Sequence, residues 1–245
     1  MTPSVPSFIN AMSLNSVALW NDFLRYFQTE LYATPKGHLR WAWASAFNRT
    51  KFYQNCLLPK VAQRMGLVAR YEMFRVDSSF CVPPGNSIRV PIVQVESENN
   101  AHSALHEVAK LCALVGPLKV LIVCQQWSSL GRWQGGGSET MLLPKWRTLV
   151  KEHEPYYPNN GSIGLIVGEF SDADEHLRFY STLLNGEADC GPPFFETPLV
   201  GAPFIAPNCP DRREEAKRQL LAERAMAKSP APGTDAGSDS PSQDL

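Results

Sequence analysis

Three carboxylates in the stretch Arg70 to Asn100, RYEMFRVDSSFCVPPGNSIRVPIVQVESENN, are the side chains here whose types and spacing best suit a reactive site. Asp77 falls near the end of one strand-like run, and Glu96 and Glu98 close the next. Acids beside apolar strands are costly to bury and usually need a partner such as a cation. Side chains alternate across a strand, so Tyr71, Met73, Arg75 and Asp77 are expected on one face of the first run. Glu96 and Glu98 are expected to continue the face of Ile88, Val90 and Ile92 on the second. If those faces coincide, the three acids converge. A hard divalent cation such as magnesium takes oxygen ligands and keeps several waters, which suits Asp77 and Glu96 with a backbone carbonyl. The metal would acidify a bound water and offset charge on a scissile phosphate, and Glu98 could position or deprotonate that water.

The elements that must position these acids follow from periodicity. Residues Val17, Trp20, Phe23, Leu24, Phe27 and Leu31 recur at helical spacing behind the capping candidates Asn15 and Ser16. After the tryptophan-rich LRWAWASAF, a second helix is predicted over 50–65, ending at Gly66, with Pro59 in an alternative first turn. Residues 68–82 and 88–96 alternate as strands around a Pro83-Pro84-Gly85-Asn86 turn. A helix is expected over 101–115 and a strand buried on both faces over LKVLIVC, residues 118–124. Residues 141–153 suggest a helix interrupted by Pro144, and 162–170 another buried strand. The segment 177–184 fits either a helix or a strand. Residues 186–210 read as proline-rich coil, 211–228 as a charged helix and 229–245 as disordered.

The order helix, strand with Asp, turn, strand ending in acid-x-acid, helix, buried strand resembles the PD-(D/E)XK superfamily of restriction-endonuclease-like nucleases. The resemblance covers about residues 50 to 125, extending toward 170. It implies an α/β fold with a restriction-endonuclease-like core, a central mixed sheet flanked by helices, and extra N-terminal helices. It also implies a domain division: a helical extension over 1–49, the nuclease-like domain over 50–185, then coil and charged helix over 186–228. In the family the Asp and the first acid of the signature bind metal, which maps onto Asp77 and Glu96. The third signature position, usually lysine, is Glu98, a variant that some restriction enzymes share. Relatives can draw the lysine from the following helix, which makes Lys110 the natural candidate, with Lys119 behind it; Glu30 is a candidate further acid. The implied activity is a magnesium-dependent nuclease, or a nuclease-derived protein, acting on DNA or RNA. The alternative is a non-catalytic nucleic-acid- or protein-binding module on the same fold.

Other signals point less far. His102 and His106 lie four apart, but HSALHE is not the HExxH of zinc proteases. GRWQGGGSE lacks the GK[ST] of a phosphate-binding loop, although Arg132, Trp133, Trp127, Lys145, Trp146 and Arg147 mix cations with rings that could stack bases. No G-x-S-x-G elbow exists. The 245 residues, 44% hydrophobic and 19% charged with net charge -1, suit one well-filled core and give no bulk attraction to nucleic acid. No apolar run approaches bilayer length, and six scattered cysteines without a CxxC suggest free core thiols in a reducing, cytoplasmic setting.

Overall fold

The computed structural model describes residues 15–83, 90–127, 138–158 and 161–211, together with 214, 217, 218 and 221. Four helices come first: α1 (Ser16–Ala33), α2 (Lys36–Trp43), α3 (Ala46–Lys51) and, after a π-helical segment (Phe52–Leu57), α4 (Leu58–Arg64). Strands β1 (Val68–Met73), β2 (Val76–Cys81) and β3 (Pro91–Glu98) precede α5 (Leu105–Ala113), β4 (Leu118–Cys124) and α6 (Ser138–His153). Strands β5 (Ser162–Ser171), β6 (His176–Leu183) and β7 (Phe195–Pro198) complete an α/β fold.

Among the described residues the seven strands form one mixed sheet in chain order. The β3–β4 and β4–β5 pairs are parallel and the other four antiparallel. Parallel neighbours need a crossover, and α5 and α6 supply the two crossovers.

The helices divide between the two faces. Helix α1 starts where the Asn15 side chain accepts from the backbone N–H of Val17 at 3.0 Å, and its Trp20, Phe23, Phe27 and Leu31 are buried. Burying each such side chain contributes about 1.5–3 kcal/mol. Phe23 stacks between Phe27 and the β2 residue Phe80, at 5.9 and 5.8 Å between ring centroids. Trp20 lies so flat on β5 that a Cβ at Gly164 would fall 2.2 Å from its ring. The opposite face buries Leu121, Val123, Leu165 and Val167 against Val108 and Leu111 of α5 and Trp146 of α6.

Several expectations need correction. Residues 68–82 are not one strand: Met73 pairs with Val76 across a two-residue turn, Phe74-Arg75. Tyr71 therefore lies opposite Ser78 and does not share a strand face with Asp77. The helix expected to break at Pro144 does not: α6 passes through it; of the two readings open for 177–184 the strand is the one observed, as β6, and LRWAWASAF lies mostly in α2 and α3. The coil expected over 186–210 contains the edge strand β7. Cys56 is disulfide-bonded to Cys209, 153 residues away, so the free-thiol reading holds only for Cys81, Cys112, Cys124 and Cys190. The turn at 84–86, the loop carrying Arg132 and Trp133, and most of the charged helix lie outside the described residues. Among the described residues no helix is long and apolar enough to cross a membrane.

Candidate functional site

The antiparallel register that sets Ser78 opposite Val95 carries Asp77 to the level of Glu96. Asp77 is half-buried, and its Oδ2 accepts from both the backbone N–H and the hydroxyl of Ser97, at 2.9 and 3.0 Å. Ser97, the middle residue of the acid-x-acid triplet, thereby orients one acid of the pair. Sequence reasoning passed over it because nothing about a serine between two glutamates announces a partner across the sheet.

Glu96 is only 3% exposed, on the face that α5 covers. Lys110 of α5 places its Nζ 2.6 Å from Glu96 Oε1, ion-pairs with Glu107 one turn earlier, and donates to the carbonyl of Arg75 at 3.3 Å. Twelve residues beyond Glu98 in sequence, Lys110 comes within reach because α5 begins only at Leu105. The turn before it brings the helix back over the end of β3. The one Lys110 ammonium serves both Glu96 Oε1 and Glu107 Oε2, and among the described residues neither oxygen has another hydrogen-bond partner.

Burial pushes the Glu96 carboxyl up to about 7; the Lys110 ammonium pulls it down, while the charges of Asp77 and Glu107 push it further up. Burial opposes the charge on Lys110, yet its contacts with Glu107 and Glu96 outweigh that and raise its pKa. Glu96 is thus a carboxyl short of compensating positive charge. A divalent cation fits that deficit: two facing carboxylates, one of them desolvated, supply the hard oxygen donors that magnesium takes. Among the described residues no group of three or more His, Cys, Asp or Glu side chains could hold a metal, so the remaining ligands would be waters and substrate oxygens.

The other candidates lie apart. Glu98 turns back on its own loop, its Oε1 accepting from the Asn100 backbone N–H at 2.9 Å. His102, in the turn before α5, and His106, in α5, are both exposed and do not share a helical face. Glu30 pairs with Arg64 and Lys60 of α4, and so links α1 to α4. Lys119 donates to the Leu114 carbonyl at 3.4 Å, with burial lowering its pKa to about 8, and lines a cavity of about 190 Å³ with Cys112 and His153. The rings that flank the glycine-rich loop, Trp127 and Trp146, are core aromatics and not a base-stacking surface. Trp127 stacks on Trp146 in the core at 6.0 Å, and Arg147 is bound to the Glu187 and Ala188 carbonyls.

Compared with known proteins, the chain matches no family model, no curated protein and no solved structure.

Proposed function

We propose that this chain is a metal-dependent nuclease of the PD-(D/E)XK kind, or a protein derived from one, acting on phosphodiester bonds of DNA or RNA. The observation that carries the reading is Asp77 level with Glu96 across β2 and β3, with the Lys110 ammonium 2.6 Å from Glu96. The element order supports it: β2 carrying Asp77, β3 ending in Glu-Ser-Glu, the crossover helix α5 and the buried β4 follow one another in the order on which the resemblance rests.

In this reading Asp77 and Glu96 hold a magnesium ion, and Ser97 fixes the plane of the Asp77 carboxylate so that it need not reorganise. The ion would acidify a coordinated water and offset charge on the scissile phosphate. Lys110 supplies the signature lysine from α5, its ammonium placed beside Glu96 to meet the negative charge that grows on the phosphate. Glu98, bound to the Asn100 N–H, orients the loop, and the proton of a metal-acidified water would pass to bulk solvent. The same Glu98 contact favours the second reading, a non-catalytic binding module, because it ties Glu98 to the loop and away from Asp77 and Glu96.

Magnesium-dependent nicking of supercoiled plasmid and cleavage of a structured RNA test the proposal. Asp77→Ala and Glu96→Ala are each expected to lose at least about 100-fold in rate. Cleavage undiminished in both variants contradicts it.

A further inference from the structure

The two ends of the acidic segment are each hydrogen-bonded to a cluster that pairs an exposed aromatic ring with a cation. On one side stands the β1–β2 turn. Its two central residues, Phe74 and Arg75, have φ of 57° and 62°, and Glu72 in β1 has φ of 53°. Both central residues in the left-handed region is the geometry of a tight hairpin turn that Asn-Gly or Asp-Gly would adopt without strain. Phe74 is a poor choice for that turn and is 61% exposed, so neither backbone preference nor burial explains it. The turn is tied to the candidate site by the Lys110 ammonium, which donates to the Arg75 carbonyl while pairing with Glu96.

On the other side stands α3. Phe47 is 67% exposed, with the Lys51 ammonium 4.6 Å above its ring. Arg49 of the same helix donates from Nε to Asn99 Oδ1 at 2.8 Å, and Asn99 donates back to Thr50 at 3.1 Å. Asn99 directly follows Glu98, so this helix is anchored where β3 ends, as the turn is anchored where β2 begins.

We infer that the β1–β2 turn and α3 form the two banks of a track for single-stranded nucleic acid, with bases stacking on Phe74 and Phe47 and phosphates meeting Arg75 and Lys51. The inference rests on the nuclease reading and names its substrate: a single strand, or a locally unpaired segment. Exposed rings need unstacked bases, which a duplex hides. Cations beside each ring match the alternation of base and phosphate along one strand.

Fluorescence anisotropy of the full chain with a labelled 20-nucleotide single strand and its duplex, in EDTA so that no metal-dependent cleavage occurs, tests this. Phe74→Ala and Phe47→Ala are each expected to weaken single-strand binding about tenfold at unchanged melting temperature, and Phe74→Trp to restore it. Arg75→Ala and Lys51→Ala should each reduce the salt slope by about 0.7. Duplex preference, no binding to either form, or single-strand binding indifferent to both phenylalanines overturns the inference. Plasmid and RNA cleavage is measured alongside. Cleavage with no phenylalanine effect removes the track and keeps the nuclease; phenylalanine-dependent binding without cleavage in any divalent metal keeps the track and removes the nuclease.

Discussion

Glu30 and Glu96 are both buried glutamates, 5% and 3% exposed, and they answer the cost of burial in opposite ways. Glu30 meets Arg64 and lies 3.9 Å from Lys60, so two cations face one acid. Around Glu96 the ratio inverts: Asp77 and Glu107 press on it, and the ammonium of Lys110 is shared with Glu107. A balanced buried charge links two helices, whereas an unbalanced one leaves a demand for positive charge that the fold does not meet. The difference separates a residue that serves stability from one suited to hold a cation.

The largest expected effect breaks the comparison at the level of activity. Where Asp77→Ala and Glu96→Ala remove cleavage, Glu30→Gln is expected to leave the rate within about twofold and to lower stability by about 1–2 kcal/mol, since Arg64 and Lys60 are well exposed. Thermal melts and initial rates on the same preparations check both halves.

The next effect is a pH dependence. The Glu96 carboxyl lies at about 7 in the folded chain against 4.5 for the free side chain, so the native state binds the extra proton. Its contribution to stability is therefore fully present below about pH 4.5 and is lost as pH rises through 7. In the absence of divalent ions, Glu96→Gln should match the wild type near pH 4.5 and exceed it by about 3 kcal/mol at pH 8. Urea melts across that range check the sign, and a difference independent of pH removes the charge deficit. The smallest effect sharpens the neighbouring turn: Phe74→Gly should raise stability by about 0.5–1 kcal/mol by relieving the left-handed residue, a gain visible in the same melts.

Much of this arrangement is legible in the sequence, because periodicity and capping chemistry are local. Asn15 before the Trp20–Leu31 stripe marks α1, and LKVLIVC marks a strand buried on both faces. Asp77 and Glu96 come to one level as expected, although the run expected to carry Asp77 breaks into two strands at Phe74-Arg75. The β1–β2 turn is illegible because Phe-Arg carries none of the Gly, Asn, Asp or Pro signals that mark turns. Strand β7 is hidden in a proline-rich run, since an edge strand of four residues tolerates proline and shows little alternation. The Cys56–Cys209 bridge spans 153 residues, a separation that no spacing rule covers. The approach of Lys110 to Glu96 depends on the irregular turn before α5, a tertiary fact with no local signature.

Isothermal titration of magnesium and manganese into the full chain at pH 8 tests the charge deficit at Glu96 most directly. The expected result is saturable binding in the wild type and in Glu30→Gln, weakened at least about tenfold in both Asp77→Asn and Glu96→Gln. Equal binding by the wild type and Glu96→Gln, or no binding by the wild type, contradicts a metal held between β2 and β3.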